Sequence, residues 1–196
     1  MTSAEVLRPV QKHRVVRALT LGLAGTAAAQ DAVIRTGGTD AVFASQNTER
    51  MWEAVAYANP LPPGAPTADY PLVAWCEAMV SGHVTLGESL QTDDELDLEL
   101  IELGRAEERK FRRALEVAGP RQSPETLDLA ESAAASVRVR WSRVMELDLD
   151  ARDETFGLFF GLPGRCEHAA RRIRENVTTP PATLAEVGLE PGPAAE

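Results

Sequence analysis

The stretch DDELDLELIELGRAEERKFRRALEVAGPRQSPETLDLAESAAASVRVRWSRVMEL, residues 93–147, decides the fold that the sequence predicts. Its two halves predict long helices, 93–118 and 124–147, because apolar residues recur there every three or four positions. Gly119 ends the first helix, and Pro124 occupies the first position of the second, which is the usual asymmetry of helix ends. Two long helices joined by so short a turn predict an antiparallel helical hairpin.

The remaining sequence predicts further helices around this hairpin and no strand, since no segment alternates apolar and polar residues. Proline-rich stretches at 59–69 and 179–196 interrupt the helical pattern. We therefore predict an all-α bundle of about six helices, with residues 1–178 as one domain and residues 179–196 as a flexible tail. The additional helices are expected at 9–35, at 48–58 with Asn47 as cap, at 70–90, around 156–161 and at 165–177.

The charge of the chain limits its partners. The 196 residues carry a net charge of −10. Nucleic acids and anionic membrane surfaces bind to a concentrated basic face, so we predict neither as a partner. No apolar run reaches the roughly 20 residues that a transmembrane helix needs, and no transmembrane helix is expected.

The chain has two cysteines, Cys76 and Cys166, too few for a disulfide scaffold or a cysteine-built metal site. Both lie in apolar helical patterns, which predicts buried free thiols.

A cytoplasmic protein is predicted because the N-terminal segment contains Glu5 and Pro9, and its apolar stretch is short and interrupted by Gly22 and Gly25. One alternative remains open. Residues 1–29 have basic residues, a short apolar stretch and a run of alanines, an arrangement similar to a secretory signal peptide.

The acidic string DDELD, residues 93–97, matches the DDxxD motif with which terpene cyclases and prenyl transferases hold magnesium and diphosphate. However, Thr92 and Glu95 have the spacing of a capping box, and carboxylates in the first turn of a helix complement its dipole. We interpret the string as a helix start. The three histidines of the chain lack the paired spacing of metal ligands, so neither a metal nor another cofactor is predicted.

His83 is the most informative single residue, because it falls on the apolar stripe of the helix at 70–90. A buried histidine must be hydrogen-bonded, must titrate or must bind a ligand. One interpretation is a structural histidine bonded to a backbone carbonyl or to the carboxylate of Glu77 or Glu88. The other is a catalytic acid or base that Glu77 or Glu88 orients.

The segment FGLFFG, residues 156–161, combines three phenylalanines with two glycines. It is typical of an aromatic plug over a core, of a pocket wall or of a surface for self-association. The candidate interaction residues are Phe156, Phe159 and Phe160. The candidate ligand pocket comprises Trp75, His83, Trp141 and Phe159.

Two functions are compatible with these patterns, and no family is recognised across the chain. The preferred hypothesis is a helical interaction or assembly module that forms a homodimer or binds another polypeptide. It rests on long apolar seams, on helix faces made thin by alanine and glycine, and on the lack of a catalytic motif. The alternative is a helical bundle that binds a small molecule, an enzyme if His83 acts as acid or base in the aromatic pocket.

Overall fold

A computed structural model describes residues 39–158 and 161–189, which belong to one compact unit. In these residues the fold is all-α, with six helices and no strand, as predicted. The helix expected at 9–35 lies outside the described residues, and its membership of the same domain stays a prediction. The helices are α1 (Thr39–Ala58), α2 (Asp69–Leu90), α3 (Glu95–Ala118), α4 (Pro124–Met145), α5 (Leu149–Gly157) and α6 (Gly164–Glu175).

Helix α2 lies at the centre of the bundle and matches the helix predicted at 70–90. It packs against α3, α4, α5 and α6, and most of its residues between Pro71 and Gly87 are buried. The predicted hairpin helices, α3 and α4, are joined by a 3-10 turn at Gly119–Arg121, and both pack mainly on α2. The scaffold of the fold is therefore α2, with the two long helices on its flanks.

Glycines allow α2 to approach its neighbours closely. A Cβ atom added at Gly82 would lie 2.0 Å from Cδ1 of Trp141 on α4, and one at Gly87 would lie 2.5 Å from Phe156. Both distances are far shorter than any van der Waals contact, so a side chain at either glycine would push the helices apart.

The helix starts follow side-chain capping, with one correction to the prediction. The Asp94 side chain, and not that of Thr92, caps α3 by accepting hydrogen bonds from the backbone N–H groups of Leu96 and Asp97. Thr92 instead accepts from the Asp94 N–H and donates to the Asp97 carboxylate. Ser123 caps α4, as its Ser-Pro start predicts.

Two helices have other bounds than those predicted. α1 begins at Thr39, because residues 39–47 contain no helix breaker, so Asn47 lies within the helix and does not cap it. A helix was predicted around 156–161, but α5 lies earlier in the chain and ends at Gly157. Its start is fixed by Asp148, whose side chain accepts from the N–H of Ala151.

Cys76 on α2 and Cys166 on α6 form a disulfide with a Cα–Cα distance of 6.1 Å. The prediction of free thiols is therefore wrong. Each cysteine does lie on the buried face of its helix, as expected. Packing of α6 on α2 brings these faces together, a tertiary contact across 90 residues that spacing in the sequence does not reveal.

A buried ionic network holds α6 to the rest of the bundle. The Arg172 guanidinium donates to Glu53 at 3.1 Å, to Asp69 at 3.0 Å and to the backbone carbonyl of Thr179. The Tyr57 hydroxyl donates to the same Asp69 carboxylate at 2.6 Å, and burial raises the pKa of Tyr57. Because each charge has a partner, the network joins α1, α2 and α6 without leaving an isolated buried ion.

The first part of the C-terminal tail packs against the bundle. Ala182 is buried, and Thr183 and Glu186 cap a 3-10 turn at Ala185–Val187 that contacts α1. None of the helices within the described residues has the length and apolarity required to cross a membrane.

Candidate functional site

A groove of about 620 Å³ runs between α1, α3 and α6. A cleft of this size is within the range of ligand-binding sites, and it has both apolar and charged walls. Its lining residues are Glu49 and Trp52 from α1, Leu103, Ala106, Glu107, Lys110 and Phe111 from α3, and Glu167, His168, Ala170, Arg171 and Arg174 from α6.

The apolar wall of the groove consists of exposed large side chains. Trp52 is 55% exposed and Leu103 is 59% exposed, above a floor that contains the buried Phe111. An exposed tryptophan with a leucine beside it is typical of binding sites. Binding of a partner removes both apolar side chains from water, which stabilises the complex.

A leucine stripe extends this wall along α3. Leu96, Leu100 and Leu103 are 63%, 38% and 59% exposed and have the i, i+4, i+7 spacing of one helix face. The core face of α3 is formed by other residues, such as Ile101 and Phe111. The stripe is therefore additional to the core, and we call it, together with Trp52, the leucine surface.

The charged wall contains side chains without partners. Glu107, Lys110, Glu167 and His168 form no hydrogen bond or ion pair with other described residues, whereas Arg171 is paired with Glu49 at 2.6 Å. They act on one another only through space, and their polar atoms can form hydrogen bonds with a bound molecule.

Two of these groups have shifted pKa values. Burial raises the pKa of the Glu107 carboxyl, and the nearby Glu167 carboxylate adds to this effect while Lys110 opposes it. Burial also lowers the pKa of His168, as does the neighbouring Arg171 guanidinium, against the opposing effect of surrounding carboxylates. Shifted, unpaired groups in a cleft are a common property of functional sites.

His83 is placed elsewhere, in the core between α2 and the end of α5. Its Nε2 lies 3.1 Å from the Phe156 carbonyl oxygen, and its ring stacks on that of Phe156 with centroids 4.4 Å apart. Glu77 and Glu88 interact with Arg112 and Arg105 of α3. The geometry matches the structural interpretation of His83, with a carbonyl as its partner.

Among the described residues of the predicted pocket, Trp141 lies near His83, with ring centroids 6.4 Å apart, but Trp75 and Trp141 do not line a common cavity with it. Trp75 is buried in the core, and Trp141 lines a shallow cavity of about 300 Å³ with Ser81 and Thr85. Neither His83 nor Trp75 lines that cavity. Phe159 lies outside the described residues.

The predicted interaction residues are divided in the same way. The Phe156 side chain is buried against Ile101 and His83, so it is a core contact of the single chain. Phe159 and Phe160 lie outside the described residues. Any association surface among the described residues must therefore be formed by other side chains.

The leucine surface was missed by the sequence analysis, although a signal for it exists. The first half of α3 has apolar residues at 96, 98, 100, 101 and 103, more than one core face can accommodate. Trp52 gave no such signal, because a helix with a few apolar residues predicts a core position for its tryptophan.

Neither a metal site nor a family assigns a function. Among the residues that the structure describes, no group of three or more His, Cys, Asp or Glu side chains could hold a metal ion. The chain matches no protein-family model, no curated protein and no solved structure.

Proposed function

We propose that the protein is a helical assembly module that forms a homodimer through the leucine surface. The observation that carries this proposal is the exposure of Trp52, Leu96, Leu100 and Leu103 on one side of the bundle. Covering a leucine stabilises a complex by about 1.5–3 kcal/mol, and an aromatic residue among apolar neighbours is the usual centre of an interface.

A second copy is the occupant that we favour, because the surface has both charge signs. A twofold interface pairs a patch with itself, so the patch must be self-complementary. The groove presents Lys110 beside Glu107 and Glu167, and none of the three forms an ion pair within the described residues. Such a mixture of charge signs suits pairing with an identical patch better than binding of a strongly charged ligand.

Sedimentation velocity over a range of concentrations tests this proposal. We expect a dimer for the wild type and a monomer for Leu103→Glu, whose dimer dissociation constant should rise by about 100-fold because the variant buries a charge without a partner. The matched control is Leu129→Glu on α4, where the leucine is 56% exposed and outside the leucine surface. A monomeric wild type, or equal dissociation by both variants, would refute the proposal.

We also propose that the protein is exported from the cytoplasm. Disulfides persist in oxidising compartments and are rare where thiols are kept reduced. The buried Cys76–Cys166 disulfide thus supports the alternative in which residues 1–29 are a secretory signal, over the predicted cytoplasmic location.

Intact mass spectrometry tests the exported location. The protein is isolated from its own source and alkylated without reductant before its mass is measured. We expect a chain that lacks the signal and takes up no alkylating reagent. A chain that retains residues 1–29 and is alkylated at Cys76 and Cys166 would contradict it.

A further inference from the structure

We infer that the two copies pair through α3 in antiparallel orientation, with Glu99 of each copy opposite Lys110 of the other. This inference rests on the proposed function and specifies the geometry of the same surface.

The orientation follows from the division of charge along α3. On the flank that carries the leucines, exposed charges are acidic in the first half of the helix and mainly basic in the second, where Glu107 and Glu116 lie beside the basic residues. A parallel pair would set like charges together, whereas an antiparallel pair sets each acidic half against a basic half. Among these residues, Glu95 and Glu99 in the first half and Lys110 in the second form no ion pair within the described residues, whereas Glu102 pairs with Arg109, and Arg113 pairs with Glu116.

The helix dipole does not account for this division. The dipole acts on the first and last turns of a helix. The last turn of α3 has no basic residue, and Arg109 and Lys110 lie before it. Glu99 and Glu102 likewise lie beyond the first turn. Ion pairs within the helix account for Glu102, Arg109 and Arg113. Glu99 and Lys110 have no such ion pair, and pairing with a second copy would provide one for each.

The register follows from four residues that share one stripe of the helix. Glu99, Leu103, Ala106 and Lys110 have the i, i+4, i+7, i+11 spacing of a helix seam. If the twofold axis passes between Leu103 and Ala106, each leucine meets the small alanine of the other copy. Glu99 lies four residues before Leu103, and Lys110 lies four residues after Ala106. Glu99 of one copy therefore lies opposite Lys110 of the other.

The remaining charges of α3 support the choice of this pair. Arg105 and Arg112 on the other flank bind Glu88 and Glu77 of α2, so they stabilise the single chain. Glu99 and Lys110, in contrast, have no ion-pair partner among the described residues. They are the charges that a second copy can pair without breaking an existing contact.

Charge reversal tests the pairing by sedimentation velocity on the full chain. Glu99→Lys alone sets two lysines opposite each other at both ends of the seam, and Lys110→Glu alone sets two glutamates there. We expect each variant to raise the dimer dissociation constant by about tenfold, since each loses two exposed ion pairs and gains two repulsions. The control, Glu146→Lys at an exposed position at the end of α4, makes the same charge change and should leave the constant unchanged.

An equimolar mixture of the two variants gives the decisive result. In the mixed dimer every lysine faces a glutamate, so the dissociation constant should return to within about threefold of the wild-type value. The double variant should dimerise alone for the same reason. Circular dichroism checks that each variant is folded.

The outcomes separate the inference from the proposed function. If Leu103→Glu dissociates the dimer but the mixture fails to restore it, the antiparallel register is wrong while the leucine surface stands. If Leu103→Glu remains dimeric, the leucine surface itself is wrong. A wild type that is monomeric yet co-purifies with another polypeptide overturns both.

Discussion

His83 connects α2 to the end of α5 through two contacts of different kinds. Its ring stacks on Phe156 and its Nε2 reaches the carbonyl oxygen of the same residue, 73 positions further along the chain. A single side chain thus fixes both the backbone and the side chain of Phe156. It does so inside the core, where a hydrogen bond is costly to lose.

Replacement of this side chain should destabilise the fold. We expect His83→Ala to lower the free energy of unfolding by about 2 kcal/mol, because the hydrogen bond to the Phe156 carbonyl and the ring contact are both lost. The melting temperature should fall by roughly 4–8 °C. The matched control is His168→Ala in the groove, which removes no hydrogen bond with another described residue and should shift the melting temperature by less than about 2 °C. An unchanged melting temperature for His83→Ala would contradict the structural role.

The same residue should make stability depend on pH. Burial lowers the pKa of His83 below its ordinary 6.5, against a smaller opposing effect of the hydrogen bond to Phe156. The unfolded state therefore binds the proton more tightly than the folded state. Stability is complete above about pH 6.5 and decreases as pH falls towards the folded-state pKa.

Urea denaturation at several pH values measures this dependence. In His83→Gln, which keeps a donor but does not titrate, the decrease in stability below about pH 6.5 should be smaller than in the wild type. His168 contributes with the same sign, because its pKa is also lowered, so His168→Gln serves as the comparison. A slope in His83→Gln equal to that of the wild type would show that His83 does not titrate between the two states.

At the scale of the helices, the crossing of α2 and α4 depends on Gly82. We expect Gly82→Ala to destabilise the protein by about 2 kcal/mol, because the new methyl group would overlap the Trp141 ring. Gly157→Ala is the control, since a Cβ there meets nothing within 4 Å and alanine favours a helix. Urea denaturation of both variants checks the prediction, which fails if their midpoints shift alike.

The helices themselves were largely predictable, because their signals are local. A continuous apolar stripe marked α2, and Ser123 followed by Pro124 marked the start of α4. The bounds that were wrong depend on choices between nearby residues. Asp94 and Thr92 are both good caps, and the one that wins is decided by backbone geometry that composition does not contain.

The candidate site was much less predictable than the helices that form it. The groove exists because α6 packs beside α1 and α3, and contacts between distant helices leave no periodic trace in the sequence. His83 drew attention because a polar residue on an apolar stripe is conspicuous, but burial alone did not distinguish a structural from a catalytic role. Trp52 was not among the predicted site residues, because only its packing could show that it is exposed.

At the scale of the whole molecule, one covalent bond joins the centre of the bundle to its last helix. The Cys76–Cys166 disulfide links α2 to α6, and Arg172 of α6 binds Asp69 at the start of α2. Covalent and ionic contacts thus hold the same pair of helices. Because α6 also forms one wall of the groove, the disulfide helps to keep that wall in place.

Loss of the disulfide should therefore affect both stability and association. A cross-link across 90 residues restricts the unfolded chain and stabilises the fold by about 4 kcal/mol. We expect the wild-type melting temperature to fall by roughly 10 °C in excess reductant, whereas the double variant Cys76→Ala/Cys166→Ala should melt at that lower temperature with or without reductant. If the dimer requires a fixed α6 wall, the double variant should also dissociate more readily than the wild type in sedimentation velocity. If reductant also lowers the melting temperature of the double variant, the change is due to something other than this bond. If the wild type is insensitive to reductant, even after unfolding and refolding in its presence, the bond does not contribute to stability.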